Sequence, residues 1–186
     1  DSGSSRSTGS TRSLVEAGQS NQLIQEQMRQ AAALTQSISD TQFEDTGLRA
    51  GVLSKALGAF ELAYMEGRST SPVVTIIDYE LPSSERRLWV IDLAQSQLLF
   101  HEFTTHGQGS DRNHDGKMDS VSNRSGSNQS NVGLLVTDET YTGRHGKSLK
   151  MRGMEEGLED IKELAPNVDV PDGSNELHAA WLITGL

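Results

Sequence analysis

The sequence predicts an α+β fold in which amino-terminal helices precede a β-rich sandwich or barrel domain. In the first third of the chain, apolar residues recur at steps of three and four, which is typical of amphipathic helices. After residue 72, short β-branched runs alternate with short polar breaks, which is typical of antiparallel hairpins. A chain of 186 residues is long enough for one such domain with a core and a tail.

The amino-terminal part divides by composition into an arm and a helical segment. Residues 1–12 are mainly Ser, Gly and Thr with two arginines and cannot bury enough apolar area to offset ordering, so we predict a flexible arm. Residues 13–66 form the predicted helical segment. We expect Gly18 and Ser20 to divide it, with an amphipathic helix beginning near Ser20 whose apolar stripe packs on its own domain or on a partner. That stripe contains Leu23, Ile24, Met28, Ala31, Leu34 and Ile38.

The strongest helical pattern follows Asp45 and Thr46, which we predict to cap a second helix. Its apolar residues recur at helical steps until Gly67 ends the pattern, and residues 69–72 form the predicted turn into the sheet. The recurring residues are Leu53, Leu57, Phe60 and Tyr64. Core packing is the expected role of this helix.

The β-rich domain is predicted over residues 67–186. Residues 73–79, 88–93 and 97–105 read as three strands, and the short breaks between them favour antiparallel pairing. Trp89 lies in the second strand, where we expect it in the core, although an aromatic residue near a groove can also stack on a sugar. A polar loop, an apolar run at 132–136 and a Gly-containing turn at 142–146 follow.

Charge and composition exclude several classes of function. The formal net charge of −10 disfavours nonspecific binding to nucleic acid. The chain contains 0 Cys, which excludes disulfides, thiolate metal sites and a thiol nucleophile within it. No apolar run approaches the roughly 18 residues of a membrane span. Residues 1–12 lack the basic and apolar blocks of a secretory signal, so export would require a signal that is not in this chain.

An acidic motif after the third strand suggests a calcium site. Residues 111–119 have the pattern D-x-N-x-D-G-x-x-D, with Gly116 where an EF-hand-like loop makes its sharp turn. The expected ligands are Asp111, Asn113, Asp115, the carbonyl of Lys117, and Asp119. Ser122 stands where such a loop normally has a bidentate Glu, so the closing ligand must come from elsewhere. The sequence predicts either a structural calcium ion or a turn stabilised by Asp and Asn side chains.

A polar loop and two histidines provide further candidates for binding. Residues 122–131 carry amide and hydroxyl side chains without apolar periodicity, which is typical of loops that hold an extended peptide or glycan strand, and also of solvated loops. His106 and His145 each precede a glycine in a loop, where an imidazole can reach a ligand or make a structural hydrogen bond.

Three stretches resemble the murein L,D-transpeptidase catalytic-domain family. They are RLWVIDL at 87–93, LLFHEFTTHGQGS at 98–110, and SNRSGSNQSNVGLLVTDETYTGRHGKSLKMRGMEEG at 122–157. The resemblance covers residues 47–157. It implies a mixed sheet around a groove, acyl transfer on peptidoglycan stem peptides, and a periplasmic or secreted cell-envelope location. The groove residues that it implies are His106, Ser122, Asn123, Ser127, Gln129, Ser130 and His145.

The chain departs from the family at its carboxyl end. Residues 177–182, LHAAWL, match the family's base-bearing segment loosely, which makes His178 the candidate general base. No counterpart of the family's Cys motif follows before Leu186, so we expect a domain that is incomplete at this end. A truncated member, a shortened chain and a relative that lost the chemistry all fit.

Two hypotheses from different classes follow from these observations. The first is an L,D-transpeptidase-like protein of the cell envelope whose acyl transfer is inactive in this chain because the nucleophile is absent. The second is a noncatalytic, calcium-stabilised module that binds peptidoglycan or a partner. Neither hypothesis fixes the oligomeric state.

Overall fold

A computed structural model describes residues 8–143, 146–154 and 180–185 of the chain. Within these ranges, two long helices precede a mixed sheet of six strands. This arrangement confirms the predicted α+β class. The predicted sandwich or barrel takes the form of a single open sheet in the described residues, because its outermost strands do not pair with each other.

The first helix, α1, spans Thr8–Thr35 without interruption. It therefore begins well before the expected start near Ser20, and the expected division at Gly18 is absent. A side chain at Gly18 would meet no atom within 4 Å, so this glycine faces open space. It lowers the stability of the helix only through its low intrinsic helix propensity. The domain boundaries inferred from the sequence stay predictions.

The second helix, α2, spans Ala50–Met65 and begins later than the proposed cap. Asp45 and Thr46 instead belong to a 3₁₀ turn, Glu44–Thr46, which ends at Gly47 with a φ of 86°. The predicted cap is wrong because this left-handed glycine separates the turn from the helix. The Thr46 hydroxyl instead accepts a hydrogen bond from the indole of Trp89 (2.9 Å).

Six strands form the sheet, in the spatial order β3-β2-β1-β6-β4-β5. They are β1 (Val73–Asp78), β2 (Leu88–Asp92), β3 (Gln97–Glu102), β4 (Gly133–Gly143), β5 (Gly146–Gly153) and β6 (Ala180–Thr184). β1 and β6 are parallel, and the other neighbours are antiparallel. The hairpins predicted for the first three strands are thereby confirmed.

Both faces of the central strands are buried, which explains their continuous apolar runs. On one face, Val74, Ile76 and Trp89 pack against α2 around Phe60. On the other face, Ile77 belongs to a second cluster that includes Met118 of the long loop after β3. Trp89 is fully buried, as predicted for a core residue.

An ion pair joins the start of α2 to the end of β1. Arg49 lies immediately before α2, and its guanidinium donates two hydrogen bonds to Oδ2 of the buried Asp78 (2.6 and 3.1 Å). A third bond reaches Glu80 (2.6 Å). This contact fixes the helix against the sheet end where the loops described below converge.

Among the helices in the described ranges, neither is both long enough and apolar enough to cross a membrane.

Candidate functional site

The HG loop and the polar loop lie side by side at one end of the sheet. Gly107 N donates to Ser130 Oγ (2.7 Å), and Gly109 N donates to the Asn128 carbonyl (2.7 Å). Ser130 N in turn donates to Ser110 Oγ (2.8 Å). Two segments that are about twenty positions apart in the chain therefore form one unit.

Close contact between the two backbones explains why the HG loop contains glycines. A Cβ at Gly107 would lie 2.5 Å from the Asn128 carbonyl oxygen, and a Cβ at Gly109 would lie 2.7 Å from that of Ser127. Both distances are far inside van der Waals contact with backbone atoms that cannot move independently. The H-G-Q-G sequence at 106–109 thus encodes the packing of these two loops.

The side chains proposed to line a groove make hydrogen bonds within the loops themselves. Gln129 donates to the Gly109 carbonyl and to Ser120 Oγ, both at 3.1 Å. Ser127 Oγ accepts from Gln129 N (3.2 Å). Their polarity therefore stabilises the loop pair, and a role in binding a ligand stays a prediction.

Ser122 and Asn123 make similar local contacts at the outer part of the polar loop. Ser122 Oγ accepts from Arg124 N (3.1 Å), and Asn123 Oδ1 accepts from Asn131 Nδ2 (3.3 Å). The structure thus brings His106, Ser122, Asn123, Ser127, Gln129 and Ser130 into one loop assembly.

His106 lies beneath this assembly between Arg87 and Asp111. Its Nδ1 is 2.8 Å from Arg87 Nη2, and its Nε2 is 3.3 Å from Asp111 Oδ2. A guanidinium can only donate, so Nδ1 must accept and Nε2 must carry the proton that is donated to Asp111. Both ring nitrogens are occupied, so His106 acts here as a structural hydrogen-bonding residue.

Arg87 is the buried centre of the cluster. Its Nε and Nη2 donate to the Thr104 carbonyl (3.1 and 2.9 Å), and its Nη1 donates to the Leu81 carbonyl (2.7 Å). The guanidinium carbon lies 4.8 Å from the ring centre of Tyr79, within the range of a cation–π contact. Burial lowers the pKa of Arg87, and the hydrogen bonds compensate its charge.

Tyr79 completes the buried cluster from the end of β1. Its hydroxyl donates to the Thr105 carbonyl (3.0 Å), and burial raises its pKa. Sequence reasoning missed both Tyr79 and Arg87 as members of the site. The only available signal was a charged residue at the very start of a buried apolar strand, at position 87.

The acidic loop wraps around the carboxylate of Asp111. Oδ1 accepts from Asp115 N (3.1 Å), and Oδ2 accepts from Gly116 N (2.9 Å) as well as from His106. Burial raises the pKa of Asp111, but these hydrogen bonds outweigh it and leave the pKa below its ordinary value. Gly116 has a φ of 85°, as its predicted turn requires.

The other proposed calcium ligands are also engaged in turns. Asp115 accepts from Lys117 N (2.9 Å), Asn113 Nδ2 donates to Asp115 (3.2 Å), and Asp119 accepts from Arg112 N (3.3 Å). In the described part of the chain, no three His, Cys, Asp or Glu side chains are grouped so that they could hold a metal ion. The calcium site stays a prediction.

Two of the candidate histidines, His145 and His178, lie outside the described residues. The nearest described residue after His178 is Ala180, which pairs with Val74 and Val136. Those partners lie at the end of the sheet opposite Tyr79, which follows β1 and bonds to Thr184. The described start of β6 therefore lies at the end of the sheet opposite Tyr79.

Comparison with known proteins gives one match. A family model described as L,D-transpeptidase catalytic domain matches residues 44–163. No curated protein and no solved structure matches the chain. The matched region contains α2, the first five strands and the whole loop assembly.

Proposed function

Because the chain belongs to the L,D-transpeptidase catalytic-domain family, we propose that it binds the peptide stems of peptidoglycan in the cell envelope. We propose further that these 186 residues do not carry out acyl transfer by themselves. The family implies the substrate. The absence of cysteine implies that acyl transfer does not take place on these residues alone.

The observation that carries this proposal is a family match over residues 44–163 in a chain with 0 Cys. In the family reaction, a cysteine thiolate attacks a peptide carbonyl, the first amine leaves, and a second amine then takes the acyl group from sulfur. Each step requires a thiolate and a base beside it. Without sulfur from Cys, the covalent intermediate cannot form on these residues.

The arrangement around His106 argues against serine hydrolysis at the HG loop. A serine nucleophile would need an adjacent base with a free ring nitrogen. Ser110 and Ser130 lie next to the HG loop, and the hydroxyl of each accepts a hydrogen bond from loop backbone. Both nitrogens of His106 are occupied by Arg87 and Asp111. This cluster holds the loops in place.

Two measurements on the purified protein test the proposal. Titration with a muropeptide that carries a tetrapeptide stem should show saturable binding by calorimetry. Incubation with the same muropeptide, followed by mass analysis, should return the substrate unchanged. Absence of binding would refute the binding role. A cross-linked or shortened stem would refute the proposal that these residues do not carry out acyl transfer by themselves.

The proposed location follows from the substrate, since peptidoglycan lies outside the cytoplasmic membrane. We propose a periplasmic or secreted protein. Fractionation of cells that express the gene from its native start would test this, and recovery of the protein in the cytoplasmic fraction alone would count against it.

A further inference from the structure

A pocket of about 230 Å³ opens on the helix-facing side of the sheet, away from the HG loop. Its walls come from the turn after α2 and from the hairpin of β4 and β5. It is lined by Gly67, Arg68, Val136, Thr137, Asp138 and Arg152. Val136 pairs with Ala180, so the pocket lies at the end of the sheet where β6 begins.

The charges in this pocket are not balanced. Arg152 Nε donates to Asp138 Oδ2 (2.7 Å), which leaves this pair neutral. The guanidinium of Arg68 makes no hydrogen bond or ion pair with any residue in the structure as described. The six described lining residues therefore carry a net charge of +1 in a chain whose net charge is −10.

The backbone that carries Arg68 is fixed. Gly67 adopts a φ of 68° directly after α2, and the N–H groups of Arg68 and Ser69 both donate to the Ala63 carbonyl (2.9 and 3.0 Å). On the opposite wall, Val136 and Thr137 are buried strand residues. Because the backbone is fixed on both sides, a ligand has to order the Arg68 side chain but not the chain around it.

We infer that this pocket binds a single carboxylate group of a peptide, with Arg68 as its principal partner. A guanidinium donates two parallel N–H bonds that match the two oxygens of a carboxylate. A net charge of +1 on the lining residues suits a monoanion better than a phosphate dianion.

The size of the pocket limits what enters it. Sites for whole small ligands usually enclose about 300–1,000 Å³, so this volume holds one carboxyl-bearing side chain or chain end, and not a complete stem. The inference rests on the proposed function for the identity of the peptide, and it assigns to that peptide a free carboxylate as a recognition element.

The experiment compares two ligands on two variants. The ligands are a muropeptide with free stem carboxylates and the same muropeptide with those carboxylates amidated. The variants are Arg68→Gln and, as a control, Arg29→Gln, which removes an exposed arginine that is paired with Glu26 on α1. Both variants should melt at the wild-type temperature because both side chains are exposed.

Arg68→Gln should weaken binding of the free-carboxylate muropeptide by about tenfold or more, as for the loss of a charged hydrogen bond. Arg29→Gln should leave the Kd unchanged. Amidation should weaken binding to the wild type by a similar factor and have no further effect on Arg68→Gln. An equal Kd for all three proteins, or for both ligands, would overturn the inference while leaving the proposed function intact.

A second readout separates the two proposals if the muropeptide does not bind. Acetate, a monoanion with one carboxylate, should shift the Nε–H resonance of Arg68 in a saturable way, and should not shift that of Arg29. If neither the muropeptide nor acetate gives a response, the pocket assignment is wrong. If only acetate responds, the carboxylate site stands and the peptidoglycan proposal fails.

Discussion

The Cα of Gly107 faces the carbonyl oxygen of Asn128 so closely that an added Cβ would lie 2.5 Å from that oxygen. Gly107→Ala should therefore force the HG loop and the polar loop apart. The expected loss of stability is about 1–3 kcal/mol, as for other cases of overpacking. The free energy of unfolding in urea provides the measurement.

The chain offers a matched control for this substitution in α1. Gly18→Ala adds the same methyl group where no atom lies within 4 Å. Because alanine favours a helix more than glycine does, this variant should gain up to about 1 kcal/mol. Equal effects at both positions would show that close packing of the loops is not the reason for the glycine at 107.

Arg87→Met should destabilise the protein more than any surface substitution. The change leaves the Thr104 and Leu81 carbonyls and His106 Nδ1 without their donor in a buried region. Each buried acceptor left without a donor typically costs about 1–3 kcal/mol. Thermal and urea unfolding should both report the loss.

Arg86→Gln is the control for that prediction, since it changes the neighbouring arginine. The Arg86 side chain is 49% exposed and pairs with Glu102 at 3.2 Å. An exposed pair of this kind contributes at most about 1 kcal/mol. A larger loss at Arg86 than at Arg87 would contradict the assignment of Arg87 as the centre of the cluster.

The parts of the fold that depend on local pattern could be predicted from the sequence. The spacing of Leu53, Leu57 and Phe60 indicated α2, and the β-branched, apolar run at 73–79 indicated the strand β1. These patterns report directly which faces are buried. The cap at Asp45 and Thr46 was wrong because the left-handed Gly47 separates them from the helix.

The candidate site could be predicted only in part, because its contacts join distant positions. Gln129 is recognisable as polar, but its partners Gly109 and Ser120 lie 20 and 9 residues away. Arg87 likewise donates a hydrogen bond to the carbonyl of Thr104, which lies 17 residues away in the sequence. The sequence identified which loops are polar, and the tertiary structure determines that their side chains bond to each other.

Asp111 should make stability depend on pH at the acid end. Hydrogen bonds hold its pKa in the folded protein below the ordinary 3.8, so its contribution is complete above about pH 3.8 and is lost as the pH falls through the folded pKa. Asp111→Asn should therefore be less stable than the wild type at pH 7, and the difference should shrink below pH 3.8.

Melting temperatures across a pH series would measure this effect. The control is Asp40→Asn, which changes a carboxylate in an exposed turn outside the cluster. It should give a curve parallel to that of the wild type. A constant difference between Asp111→Asn and the wild type at every pH would mean that the charge of Asp111 does not contribute to the cluster.

We predict that millimolar calcium raises the melting temperature through the loop at residues 111–119. The spacing of Asp111, Asn113 and Asp115 is that of a calcium loop, and a bound ion stabilises the folded state by mass action. Two backbone N–H groups donate to Asp111, so the loop is already folded around its first expected ligand.

Asp119→Asn removes a negative charge at another expected ligand and should reduce the shift in melting temperature, whereas Asp138→Asn, outside the loop, should not. A melting temperature that is unchanged between chelator and 5–10 mM calcium, at about the weak end of such sites, would exclude the ion and leave a turn that Asp and Asn side chains stabilise alone.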